Sequence, residues 1–210
     1  VQHARDLLLA AACATVKSRR VFPGRKPAEA VEYIKRVRLG QTERGSFVLN
    51  IESPVPPALQ GNLPLAGIPH PEPFERRVTQ TLMRSLLAVR DAASESASTG
   101  GLGPFDKAIE RGVSANLCDA VAGLHEGTAV RSLTIRLHWA IARMPVNADI
   151  HNTTVTFSND AIPVLREASR LFKEWGPWEE FELRGIPVTL RREEDQREGT
   201  VTVQAVVDGS

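Results

Sequence analysis

With 210 residues, 42% of them hydrophobic and 24% charged, the chain can bury a real core as one larger domain or two small ones. No apolar run is long enough to span a bilayer, which excludes an integral helical membrane protein. The formal net charge of +1, from 26 Lys/Arg and 25 Asp/Glu, conceals a basic beginning and an acidic remainder.

In chain order, residues 2–18 and 27–38 read as helices, the second entered by Pro27 at a first-turn position that tolerates proline. The apolar run from Leu7 to Ala14 is flanked by Arg5 and Asp6 on one side and Lys17, Arg19 and Arg20 on the other, so it reads as a buried helix and not a targeting signal. Residues 46–52 alternate as a strand that ends at Ser53-Pro54. Residues 54–73 then hold seven prolines, which remove donors and fix φ, giving an extended loop or linker. The expected organisation is a basic helical segment with one strand over residues 1–53, the linker over 54–73, and an α+β body over 74–210.

Two long helices are expected next. Phe74, Val78, Leu82, Leu86 and Val89 form one apolar stripe, and Phe105, Ile109, Val113, Leu117, Val121 and Leu124 form another. A polar connection over residues 94–101 joins them, and the pair should pack antiparallel through the stripes. Leu133, Ile135, Leu137, Trp139 and Ile141 alternate with polar residues as a half-buried strand, with His138 on its polar side. Residues 153–157 make a short strand, and Ser158, Asn159 and Asp160 offer N-caps for a helix that includes Ile162, Leu165, Leu171 and Phe172. Residues 181–192 and 200–207 pair as a hairpin, with an apolar parity shift at Gly185 that calls for a bulge or bend. The fold class is therefore α+β: amphipathic helices packed on a mainly antiparallel sheet, with a C-terminal β-hairpin. A chain that starts inside a helical pattern and stops at the turn signal Asp208-Gly209-Ser210 has the look of a fragment.

Chemistry-bearing motifs are missing. There is no G-x-x-x-x-G-K-[ST] to cradle phosphates, no G-x-G-x-x-G after a strand, no H-E-x-x-H and no Glu-x-Lys of nuclease type. Five scattered histidines, His3, His70, His125, His138 and His151, lack the spacing that places two imidazoles on one helix face, so no metal and no cofactor is expected. Ser114 is the nearest approach to a nucleophile elbow, but it lacks the second glycine. Cys13 and Cys118 fall in apolar helical patterns, as buried free thiols do, which points to a reducing, cytoplasmic setting. Arginine outnumbers lysine 21 to 5, a usage associated with GC-rich bacterial genomes.

Charge distribution carries the functional expectation. Residues 1–44 hold ten Lys/Arg and four Asp/Glu, a net of +6, while residues 45–210 hold 16 against 21, a net of −5. Lys35, Arg36 and Arg38 suit the end of a helix, where cations favour the dipole. Lys17, Arg19, Arg20, Arg25 and Lys26, around the helix break at Pro23-Gly24, have no such structural reason and are the candidate partner contacts. Trp175 and Trp178, around a Gly-Pro turn, are a candidate partner anchor. These features favour a non-catalytic binding or assembly subunit of a bacterial multi-protein complex that docks another protein subunit through its basic N-terminal surface. The alternatives are a nucleic-acid-binding module making sequence-nonspecific phosphate contacts, as in a defence-type system, and an enzyme whose His125 or His138 meets carboxylates only in the fold.

Overall fold

The computed structural model of the protein describes residues 2–42, 48–54, 72–125, 132–139, 150–175, 185–192 and 199–205. The chain divides into two compact units, Val1–Pro177 and Trp178–Ser210. Among the described residues the first contains six helices, α1 (Gln2–Val16), α2 (Ala28–Arg36), α3 (Phe74–Thr99), α4 (Gly103–Ile109), α5 (Ala115–Gly123) and α6 (Ala161–Glu174). With them lie the antiparallel pairs β1 (Arg38–Thr42) with β2 (Leu49–Glu52) and β3 (Ser132–Arg136) with β4 (Thr154–Ser158). The architecture is mixed α+β.

α1 is the centre of the core. Leu7, Leu8 and every residue from Ala10 to Ala14 are buried, so the helix is apolar on nearly all sides and is covered by α2, α3 and α5. Its alanines keep the neighbouring helices close. α2 is amphipathic instead, burying Ala30 and Tyr33, and the Tyr33 ring meets Phe74 edge-on with centroids 6.2 Å apart. Arg36 at its end pairs with the buried Glu75 carboxylate at 2.7 Å, which ties α2 to the start of α3. α2 stops before the expected Arg38, because Val37 turns extended (ψ 132°) and feeds β1, where Arg38 faces Glu52 and Leu39 faces Ile51. Residues 46–47 of the expected strand and residues 55–71 of the expected linker lie outside the described residues.

The stripe of α3 is buried as expected, but the helix runs on through the serine-rich segment to Thr99. Ala92, Ala93 and Ser96 still face the core there, and the hydroxyls of Ser98 and Thr99 donate to the Glu95 carbonyl. Gly100, at φ 73°, ends it in the left-handed conformation that glycine adopts without penalty.

The second expected helix is broken. Phe105, Val113, Leu117 and Val121 are all buried, yet α4 stops at Ile109 and α5 begins only at Ala115. Gly112 reverses the chain at φ 91°, where a Cβ would stand 2.6 Å from the Ser85 hydroxyl, and Ser114 caps α5 by accepting from Leu117 N at 3.2 Å. A four-residue apolar spacing survives such a turn, which is why periodicity alone overlooked it.

β3 and β4 pair in register from Ser132↔Ser158 to Arg136↔Thr154, with Val155 and Phe157 in the core against α3 and α6. β3 ends earlier than expected; Leu137 N donates to Thr153 O and the Trp139 indole N–H to Ile150 O, while Ala140 and Ile141 lie outside the described residues. α6 buries Ile162, Leu165, Ala168 and Phe172, but Asp160 at its N-cap position is helical and makes no side-chain cap bond. Among the described residues no helix is long and apolar enough to cross a membrane.

In the second unit β5 (Gly185–Arg192) runs antiparallel to β6 (Gly199–Ala205). The register slips between Pro187 and Thr189 and not at Gly185. Pro187 has no N–H to give the ladder, which is a physical reason for the bulge to sit beside it. Residues 181–184, 193–198 and 206–210 lie outside the described residues.

Candidate functional site

Residues 17–27, between α1 and α2, hold all five candidate cations and are fixed by their backbone. Phe22 sits in the core with its N–H donated to Asn116 Oδ1 at 2.8 Å, and the Arg20 carbonyl accepts from Ala115 N at 2.7 Å. The first turn of any helix has N–H groups without intrahelical partners; here the loop satisfies one and Ser114 another. The start of α5 is thus the anchorage of the basic loop.

The cations divide into three groups. Lys17 and Arg25 are exposed and have no partner among the described residues, and Arg19 is half-buried. Arg20 lies 3.7 Å from Asp106 of α4, and its guanidinium stands 5.5 Å from the centre of the Trp175 ring. Trp175, at the end of α6, is 39% exposed. Two features separated by 155 positions in the chain therefore share one surface patch. Lys26 is turned the other way, donating to the Phe22 carbonyl and lining a cleft. Trp178 lies outside the described residues.

That cleft, about 450 Å³, runs between α1 and α5 beneath the loop. Leu9, Ala10, Phe22 and Ala120 supply apolar wall, and Lys26, Asn116, Asp119 and Arg166 supply polar groups. The His3 imidazole covers Gly123, another lining residue, where a Cβ would come within 2.5 Å of it. Asp119 is already committed: Lys173 Nζ and the buried Ser169 hydroxyl each stand 2.6 Å from its carboxylate. Burial pushes the Cys13 thiol up, opposed by the Lys26 charge, and pushes Cys118 up to about 12. Both are free and buried, and neither has the lowered pKa of a reactive thiol.

No protein-family model, curated protein or solved structure matches this chain.

The residues themselves therefore bear the whole functional case. Ser114 is a helix cap, its oxygen occupied by Leu117 N. His125 is buried at the end of α5 and His138 is exposed after β3; neither lines the α1–α5 cleft. Among the described residues no group of three or more His, Cys, Asp or Glu is placed to hold a metal. Sequence reasoning missed Asp106, Asn116 and Asp119, whose roles depend on contacts far along the chain. It also missed the inward turn of Lys26. The available signal was Phe22, an aromatic residue set among cations, which marks a loop pinned to a core.

Proposed function

We propose that this protein is a non-catalytic assembly subunit that meets an acidic surface of a partner protein through residues 17–25 together with Trp175. The reading rests on one observation: the Arg20 guanidinium against the Trp175 ring, which puts the charged loop and an exposed aromatic on one patch. Arg and Trp are the residue types that most often dominate interface energies. A loop already held by Asn116 and Ala115 also loses little further freedom on binding, and unpaired Lys17 and Arg25 steer an acidic partner toward it. The setting in this reading is a bacterial cytoplasmic complex of the defence type, with β5 and β6 as a C-terminal hairpin.

The test is affinity isolation of the tagged chain from its native host, with cross-linking and mass spectrometry, for the wild type, Lys17→Glu/Arg25→Glu and Trp175→Ala. One stoichiometric protein partner should be recovered from the wild type, weakened by salt and lost from both variants while their circular dichroism is unchanged. Nuclease-sensitive material in place of a protein would transfer the surface to the nucleic-acid reading. Recovery of the bare chain at every salt concentration would refute docking.

A further inference from the structure

We infer that the cleft between α1 and α5 is a binding site for a small carboxylate with a short apolar tail, the carboxylate held by Lys26. The inference is independent of the docking surface, because Lys26 is the one candidate cation that faces into the cleft. The volume of about 450 Å³ falls within the size range of small-molecule sites. Lys26 Nζ donates to the neutral Phe22 carbonyl, and no carboxylate among the described residues pairs with it. An ammonium has three donors, so two remain for a ligand. Its field reaches the Cys13 thiol, which places the charge over the wall of α1.

The competing charges of the lining are accounted for. Asp119 is balanced by Lys173 and bonded by Ser169, and Asp6 accepts from the Gln2 amide at 2.8 Å with His3 at 4.0 Å. Asp6 also lies seven residues from Cys13, about 10 Å along a helix, so it stands at the far end of the cleft. Arg166 of α6 also lines the cleft. The lining is therefore cationic near Lys26 and apolar along Leu9, Ala10 and Ala120, which matches a head that is an anion and a tail that is hydrocarbon.

The test is a ¹H–¹⁵N NMR titration of the purified full chain with hexanoate, hexan-1-ol and inorganic phosphate. Hexanoate should give saturable shifts at residues 9–13 and 119–123, with hexan-1-ol and phosphate each at least about tenfold weaker, as loss of a charged hydrogen bond or of the tail requires. Lys26→Met should weaken hexanoate by a similar factor, Lys26→Arg should retain it, and Leu9→Trp should block the tail. Equal binding of hexan-1-ol, equal binding of phosphate, unchanged affinity in Lys26→Met, or no saturable shift in the wild type would each overturn the assignment. The comparison of the three probes on the wild type stands even if a variant fails to fold.

Discussion

Phe22→Ala tests whether the basic loop is part of the core or merely lies on it. The ring is 7% exposed and packs with the central cluster, so its removal takes away the transfer energy of an aromatic side chain and leaves a cavity. Such truncations cost about 3–5 kcal/mol, and the lower end applies here because Phe22 borders an open cleft that water can enter. About 3 kcal/mol corresponds to a fall in Tm of about 6–12 °C for a domain of this size. Phe22→Leu keeps most of the volume and should cost less than about 1.5 kcal/mol. The assay is urea unfolding of both variants with hydrogen exchange of residues 18–26, where Phe22→Ala should lose protection locally. A loss below about 1 kcal/mol for Phe22→Ala, or equal losses for the two variants, would refute the claim that this side chain anchors the loop.

Gly112→Ala should destabilise by at least about 2 kcal/mol, because it adds left-handed strain to a collision with Ser85; Gly100→Ala, at φ 73° with open space, should cost about 1 kcal/mol. Thermal denaturation of the two side by side separates strain from steric conflict. Ser114→Ala removes the α5 cap and should cost about 1–2 kcal/mol by chemical denaturation, whereas a wild-type midpoint would remove the capping role. The Cys118 thiol has its pKa raised by burial from 9.0 to about 12, so the folded state holds that proton more tightly than the unfolded chain. Its contribution is whole below pH 9 and declines as the pH rises from about 9 towards 12. Unfolding free energy should therefore drop more steeply across that window in the wild type than in Cys118→Ala, and parallel curves would argue against the shift.

Local rules located most of the helices and much less of the site. The buried stripes of α3 and α5 follow from apolar spacing, and Val155 and Phe157 follow from alternation, because burial is written in periodicity. Periodicity is blind to a turn that preserves it, so the spacing of Ile109 and Val113 conceals the turn at Gly112. The serine-rich end of α3 reads as a connection in the sequence because its polar composition hides the buried Ala92, Ala93 and Ser96. At the site, the charge excess of residues 17–26 was visible, but the fates of its members were not. Arg20 is directed by Asp106 and Trp175, and Lys26 by the carbonyl of Phe22; only the folded chain supplies the first two neighbours. A list of cations cannot distinguish an outward charge from one that faces a cleft.

α1 leaves the ribosome before the helices that cover it. Its apolar residues contact α3 and α5, whose last residues are Thr99 and Gly123, so more than a hundred residues must be made before the coat is complete. Until then α3 and α5 leave the alanine- and leucine-rich helix uncovered on the sides they later bury, with α2 the one of its three covers already made, the condition in which nascent chains recruit chaperones or associate with one another. Polar replacements at Leu7 or Leu8 would make that interval safer and the finished core weaker, so the yield of folded protein and its final stability are set in opposition by the same short stretch of chain.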